Sequence, residues 1–166
     1  GEGFCSGADF SAMSGLTRAT GMEGLGATHE AIRAMDGRLL KLQDLPQPTI
    51  AAINGAAVGG GMALALLCDI RIASEDAKIG ANFARLGIHP GLGISHLLPQ
   101  IVGYQNAAEL LYSGRLIRGR EAEDLGLIKR ALPAEQVLEY ALGMAQEMAQ
   151  SAPLSLRMIK QTLRAG

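Results

Sequence analysis

Thr49-Ile-Ala-Ala-Ile-Asn-Gly-Ala-Ala-Val-Gly-Gly-Gly-Met62 decides how this chain is read. Residues 49–53 are continuously apolar and partly β-branched, as in strands buried on both faces. A glycine turn follows, and residues from about 60 to 67 read as an apolar helix. Asp69-Ile-Arg-Ile-Ala73 then reads as a second strand. Strand, helix and strand in this span imply a βαβ-type crossover in a mainly parallel sheet, with ligands at the strand carboxyl ends. A helix start carries unbonded N–H donors and partial positive charge, and glycines let an oxygen reach them without meeting a Cβ. Phosphate suits such a turn, and so does the oxyanion of a thioester. Three adjacent glycines also serve plain close packing of strand on helix.

With 166 residues, 48% of them hydrophobic, the chain can bury a substantial core and reads as one domain or most of one. Its formal net charge of -1, with no basic block or aromatic-basic interleaving, favours neither nucleic acid nor an anionic membrane as partner. Aromatic residues make up 4% with no Trp, whereas Gly (22) and Met (7) are plentiful, so backbones pack closely and apolar walls adapt to a long flexible ligand. Cys5 and Cys68 lack metal-ligand spacing and read as small buried hydrophobes in a reducing compartment. The longest apolar run, 50–67, is broken by Asn54 and by glycines, so no membrane or secretory segment is read and the expected location is cytoplasmic. The opening Gly1-Glu-Gly-Phe-Cys5 reads as mid-element, the mark of a fragment.

Outward from the central stretch, residues 1–9 read as a strand end entering a turn, with Asp9 as N-cap of the next segment. Residues 12–26, rich in Gly, Met, Thr and Ser, read as a loop or short helix over a pocket. Ile32, Met35, Leu39, Leu40 and Leu42 give helical spacing over 28–42, ended by Leu45-Pro46-Gln47-Pro48. Downstream come a short strand at 77–79 and a loop at 87–93. Helices are expected at 95–101, 105–112, 121–124 and 135–149, a strand at 127–132, and a last helix with Pro153 in its first turn.

Taken together, Phe4-Cys-Ser-Gly-Ala-Asp9, residues 50–61, Cys68-Asp-Ile-Arg-Ile-Ala73, Leu86-Gly-Ile-His-Pro-Gly91 and Leu111-Tyr-Ser-Gly-Arg115 resemble the enoyl-CoA hydratase/isomerase, or crotonase, family, in the family's order and over nearly the whole chain. The resemblance implies an α/β fold: a crotonase-like β-β-α superhelix over residues 1–113 holding the acyl-CoA site, then a C-terminal helical trimerisation region over 114–166. It implies that the family's N-terminal strands and last residues are missing. It also implies an acyl-CoA thioester as partner, a homotrimer or dimer of trimers, and no cofactor beyond the CoA of the substrate. Motif by motif, the two N–H donors of an oxyanion hole fall on Ala8 and Gly60, and main-chain groups from Cys5 and Ser6 to Ala8 face the adenine of CoA.

Two positions depart from the family's pattern. Where its hydratases carry the two glutamates that flank a water, this chain has Ala63 and Phe83, and neither transfers a proton. General acid–base catalysis contributes about 10² to 10⁴-fold, so efficient two-glutamate hydration is not expected. Gly91 stands where the family's dienoyl-CoA isomerases carry an aspartate. His89 is the remaining candidate for proton transfer, because imidazole titrates near neutrality; a solvent-exposed loop histidine is its plain reading. Asn82 is placed to orient a carbonyl or a water. Arg85 reads as a partner of a carboxylate, on the protein or on an acyl group. Ser95 and His96 are helix neighbours that point apart, and His29 decorates a helix surface. The alternative to an enzyme is a non-catalytic acyl-CoA-binding member of the family, or one subunit of a hetero-oligomer.

Overall fold

The structure, a computed structural model, describes residues 3–7 and 37–165. The readings made for Ala8, Asp9, His29, the loop at 12–26 and the first part of the helix at 28–42 lie outside the described residues. Within them, residues 37–40 are helical and pass into a 3-10 turn, Lys41–Asp44, ahead of Pro46.

Among the described residues six strands assort into two parallel three-stranded sheets. One sheet has the order β1 (Gly3–Cys5), β3 (Ala56–Val58), β5 (Ile79–Gly80), and the other β2 (Ile50–Ile53), β4 (Ile70–Ser74), β6 (Arg130–Leu132). Ile50 pairs with Ile70 and Ala57 with Ile79, so each circuit of the chain places a strand in both sheets before returning. The return from β2 to β4 runs through β3 and helix α1 (Gly60–Leu67). The local unit is therefore β-β-α, not the simple βαβ crossover read from the central stretch. β3 escapes a local reading because three small residues after Asn54-Gly55 are too short to show a strand period. Its ladders to β1 and β5 complete it.

The remaining named helices are α2 (Ile94–Val102), α3 (Tyr104–Ser113), α4 (Gly119–Asp124), α5 (Ala134–Met148) and α6 (Pro153–Ala165). The strand expected over 127–132 shrinks to β6, because the Leu127 and Ile128 N–H groups both donate to the Ala122 carbonyl at the end of α4 and leave the ladder. β6 lies in the 114–166 region yet joins the sheet of β2 and β4, so the two regions share that sheet.

The main core gathers Ile53, Met62, Ile79, Ile94, Leu98 and Ile117 around α1. Most of α1 is buried, which explains why its apolar residues show no one-sided stripe. A second cluster sets Val137 and Ala141 of α5 on Ile72 of β4. No helix among the described residues is long and apolar enough to cross a membrane.

α6 is held differently. Apart from half-buried Leu156 and buried Lys160, its described residues are exposed. Lys160 Nζ meets Asp69 Oδ2 at 2.8 Å and donates to the Gln47 carbonyl at 2.7 Å. Arg164 donates to Asp69 Oδ1 at 2.7 Å and to the Leu67 carbonyl at the end of α1. Thr49 completes the ring by donating its N–H and hydroxyl to Asp69 Oδ2 at 2.7 and 2.9 Å. Burial, the largest single influence, pushes the Asp69 carboxyl up. The bonds from Lys160, Thr49 and Arg164 together outweigh it and hold the group below its ordinary value.

A carboxyl depressed by folding stabilises the native state above its unfolded pKa of about 4, and that contribution is lost as pH falls through the lower folded value. Removing one partner of a buried pair costs about 3–5 kcal/mol. Asp69→Asn is expected to lower unfolding free energy at pH 7 by about 3 kcal/mol in urea titrations and to flatten the decline in stability below about pH 4. An unchanged acid limb would show that this carboxylate does not hold α6.

Candidate functional site

The start of α1 is built by three glycines with different tasks. Gly59, ahead of the first helical residue, has φ 59° and ψ -118°, a backbone open to glycine and strained for other residues. Its N–H donates to the carbonyl of Gly80, the last residue of β5, at 2.9 Å, and its own carbonyl accepts from the Ala63 N–H at 3.1 Å. Gly60, Gly61 and Met62 precede that first intrahelical donor, so their N–H groups face out of the helix end.

β1 closes one side of this turn. A Cβ on Gly61 would sit 1.8 Å from the Cys5 carbonyl oxygen, and one on Gly7 would sit 3.1 Å from the Gly60 nitrogen. The two segments therefore meet main chain to main chain, Cys5-Ser6-Gly7 against Gly59-Gly60-Gly61. Gly7, to which the sequence pattern assigns no role beside its neighbours Ser6 and Ala8, is the residue that makes this approach. A glycine directly after a strand end is the available signal. Ala8, next in the chain, lies outside the described residues.

The 3-10 turn Asn82–Leu86 closes the other side. The Phe83 ring lies 3.6 Å, and Asn82 Oδ1 3.7 Å, from where a Cβ on Gly59 would be. Phe83 packs on the main core, in which Ala63 is fully buried. Neither carries a titratable atom, and Asn82 supplies the side-chain amide beside Gly59. Arg85, read as a carboxylate partner, instead donates from Nε to the Ser113 carbonyl at the end of α3 at 2.8 Å. The partner is a main-chain oxygen 28 residues away, which no local charge pattern signals. This bond pins the turn that carries Asn82 and Phe83.

His89 is exposed in the loop after that turn, and the close contacts at Gly7, Gly59 and Gly61 do not involve it. His96 shares a hydrogen bond of 2.9 Å with Gln100 one helical turn on, while Ser95 is exposed on the same helix. Among the described residues Ser95 and His96 do not pair with each other. Cys5 and Cys68 are free and half-buried rather than fully buried. Burial above all pushes the Cys68 thiol up, away from the reactive thiolate. Among the described residues no group of three His, Cys, Asp or Glu side chains is placed to hold a metal ion.

Two surface clefts lie away from the turn. One of about 520 Å³ runs between residues 43–46 and α6, and one of about 300 Å³ lies at the ends of β2 and β4 beside Lys78. Neither touches Gly59 to Gly61, so the site rests on main-chain geometry rather than on cavity size.

Comparison with known proteins identifies the family and the fold. A family model described as enoyl-CoA hydratase/isomerase matches residues 1–166. An enoyl-CoA isomerase/hydratase of Mycosarcoma maydis is 42% identical over 167 residues, covering 100% of this chain and 58% of the relative. The human mitochondrial methylglutaconyl-CoA hydratase is 37% identical, over 98% of this chain and 47% of that protein. The crystal structure of an enoyl-CoA hydratase from Bacillus anthracis superposes with a TM-score of 0.86 at 36% identity, covering 98% of this chain and 60% of that one. The first three curated relatives are covered over 58 to 63% of their own length.

The Gly61 contact is testable. Alanine gains about 1 kcal/mol over glycine in helix propensity, but here its methyl would overlap a backbone oxygen that cannot swing aside. Overpacking of this kind costs about 1–3 kcal/mol or more. Gly61→Ala is expected to lose at least about 2 kcal/mol in denaturant unfolding, whereas a gain in stability would refute the packing of α1 on β1.

Proposed function

The chain belongs to the enoyl-CoA hydratase/isomerase family, and on that premise we propose that it binds an acyl-CoA thioester at the Gly59 to Gly61 turn and transforms it through an enolate-like state. One observation carries the reading: Gly7 lies against the Gly60 nitrogen, so the segment after β1 meets the first N–H of α1 main chain to main chain. Donors from Ala8 and Gly60 then share the thioester oxygen. Proton loss at the α-carbon, or addition at the β-carbon, drives charge onto that oxygen. A fixed donor there is worth about 3 kcal/mol. Main-chain groups of Cys5 and Ser6 hold the adenine end, and Ala63 and Phe83 supply the apolar side of the acyl site.

The reaction is not two-glutamate hydration, because Ala63 and Phe83 offer no proton carrier. We assign that task to His89, the imidazole in the loop leading away from Phe83. A second reading, favoured by the same two residues, is an acyl-CoA-binding family member in which the donors grip the thioester without turning it over. The two separate when the purified full-length protein is given enoyl-, β-hydroxyacyl- and malonyl-type CoA esters with binding and turnover measured independently. Turnover is expected; tight binding with none would sink the enzyme reading. His89→Ala should lower kcat by about 100-fold with little change in binding, and an unaltered kcat would remove His89 from the mechanism.

The C-terminal region is proposed to pack against further copies of the chain as a trimer or a dimer of trimers. Leu138 and Leu142 of α5 and Leu154, Met158 and Leu163 of α6 stand 53 to 78% exposed, a concentration of large apolar side chains that asks for cover. Light scattering should give three or six times the mass of one chain, and Leu154→Glu with Leu163→Glu should reduce it. A monomeric wild type would overturn the proposal.

A further inference from the structure

Asn82 is the polar side chain beside the glycine turn, and its place is fixed from both directions. Two residues before it, the Gly80 carbonyl holds the Gly59 N–H at 2.9 Å, and three residues after it Arg85 is bonded to Ser113. The amide is half-buried, with Oδ1 3.7 Å from the Cβ position of Gly59 and the Phe83 ring alongside. Among the described residues no hydrogen bond uses this side chain. An amide in a partly apolar wall, on a turn pinned at both ends and with neither donor nor acceptor used among the described residues, is arranged for a ligand atom.

Resting on the thioester reading above, we propose that Asn82 is a specificity-determining residue that hydrogen-bonds an oxygen on the β-carbon of the acyl group. The geometry is one of reach. A thioester oxygen bonded to the Gly60 N–H sits about 2.9 Å from that nitrogen, and the β-carbon is two bonds beyond the carbonyl carbon. Gly59 is next in the chain to Gly60, so an amide packed against Gly59 faces the first atoms of the acyl chain rather than its far end. A hydroxyl or oxo group there completes the amide. A methylene leaves it unpaired, and an unmet polar group discriminates more strongly than a missing apolar contact does. Because the amide is half-exposed, water compensates in part and the expected preference is about tenfold.

The test is equilibrium binding of 3-hydroxybutanoyl-CoA and butanoyl-CoA to the full-length protein and to two variants. Wild type should favour the hydroxylated ester about tenfold. Asn82→Leu, close in volume, should bring the ratio near one, and Asn82→Asp, which still accepts from a hydroxyl, should keep part of it. Should the leucine variant not fold, the aspartate variant decides, together with loss of its preference for a 3-oxo ester that only accepts. A wild-type ratio near one, or a tenfold ratio kept in Asn82→Leu, overturns the assignment. Binding of neither ester by wild type overturns the thioester reading itself, a distinct outcome.

Discussion

The contact on which the rest depends is between two pieces of backbone: Gly61, in the first turn of α1, lies so near the Cys5 carbonyl that a single methyl would fall 1.8 Å from its oxygen. That approach fixes how α1 enters the space beside the β1-β3-β5 sheet. It also fixes what the N–H groups at its start can face. Gly59 contributes a conformation open to glycine and Gly7 a matching close approach from the other segment, so the turn is shaped by missing side chains rather than by present ones. Backbone donors set this way need no side-chain ordering when a ligand arrives, which is why such sites stabilise charge effectively.

A second constraint governs the far end of α1. Leu67 and Asp69 receive Arg164, Asp69 also receives Lys160, and the loop through Gln43 and Gln47 closes over both. This polar joint ties the last helix to the end of α1 opposite the glycines. The pairs are only partly withdrawn from water, with Asp69 at 23% side-chain exposure and Lys160 at 7%, so their worth depends on the hydrogen bonds around them more than on charge alone. One face of α6 is thereby anchored by charge, while Leu154, Met158 and Leu163 stay outside.

Much of this is legible in the residues. β2 and α1 come from apolar runs and the glycine break, β4 from the Ile-Arg-Ile-Ala stretch that follows Asp69, and the family from several motifs in order. Other features are not, for physical reasons. β3 has three small residues and exists through its partners, and which of two sheets a strand joins is a tertiary choice that a local pattern does not encode. Arg85 resembles a charge partner, yet a guanidinium satisfies itself as well on a helix-end carbonyl. The Asp69 joint spans 95 residues to Arg164 and leaves no periodic trace. Gly7 is hidden in plain sight, since a glycine after a strand reads as a turn until its neighbour across space is known.

The division between main chain and side chain also bears on what Ala63 and Phe83 mean. The carbonyl-polarising part of the proposed site is written in backbone and is insensitive to most substitutions around it. The proton-transferring part must be written in side chains, and single changes erase it. A chain can therefore keep the fold and the thioester-polarising turn while its reaction is reassigned by a few positions on the 3-10 turn and the loop after it. Phe83 sets an apolar ring beside Gly59, so on the proposed reading that side of the turn offers no charge to activate a water. Asn82, one residue earlier on the same pinned turn, then holds the polar contact in a wall that has otherwise become apolar. On the proposed reading, what distinguishes the chemistry of this chain is to be sought in residues 82–89 rather than in the glycines.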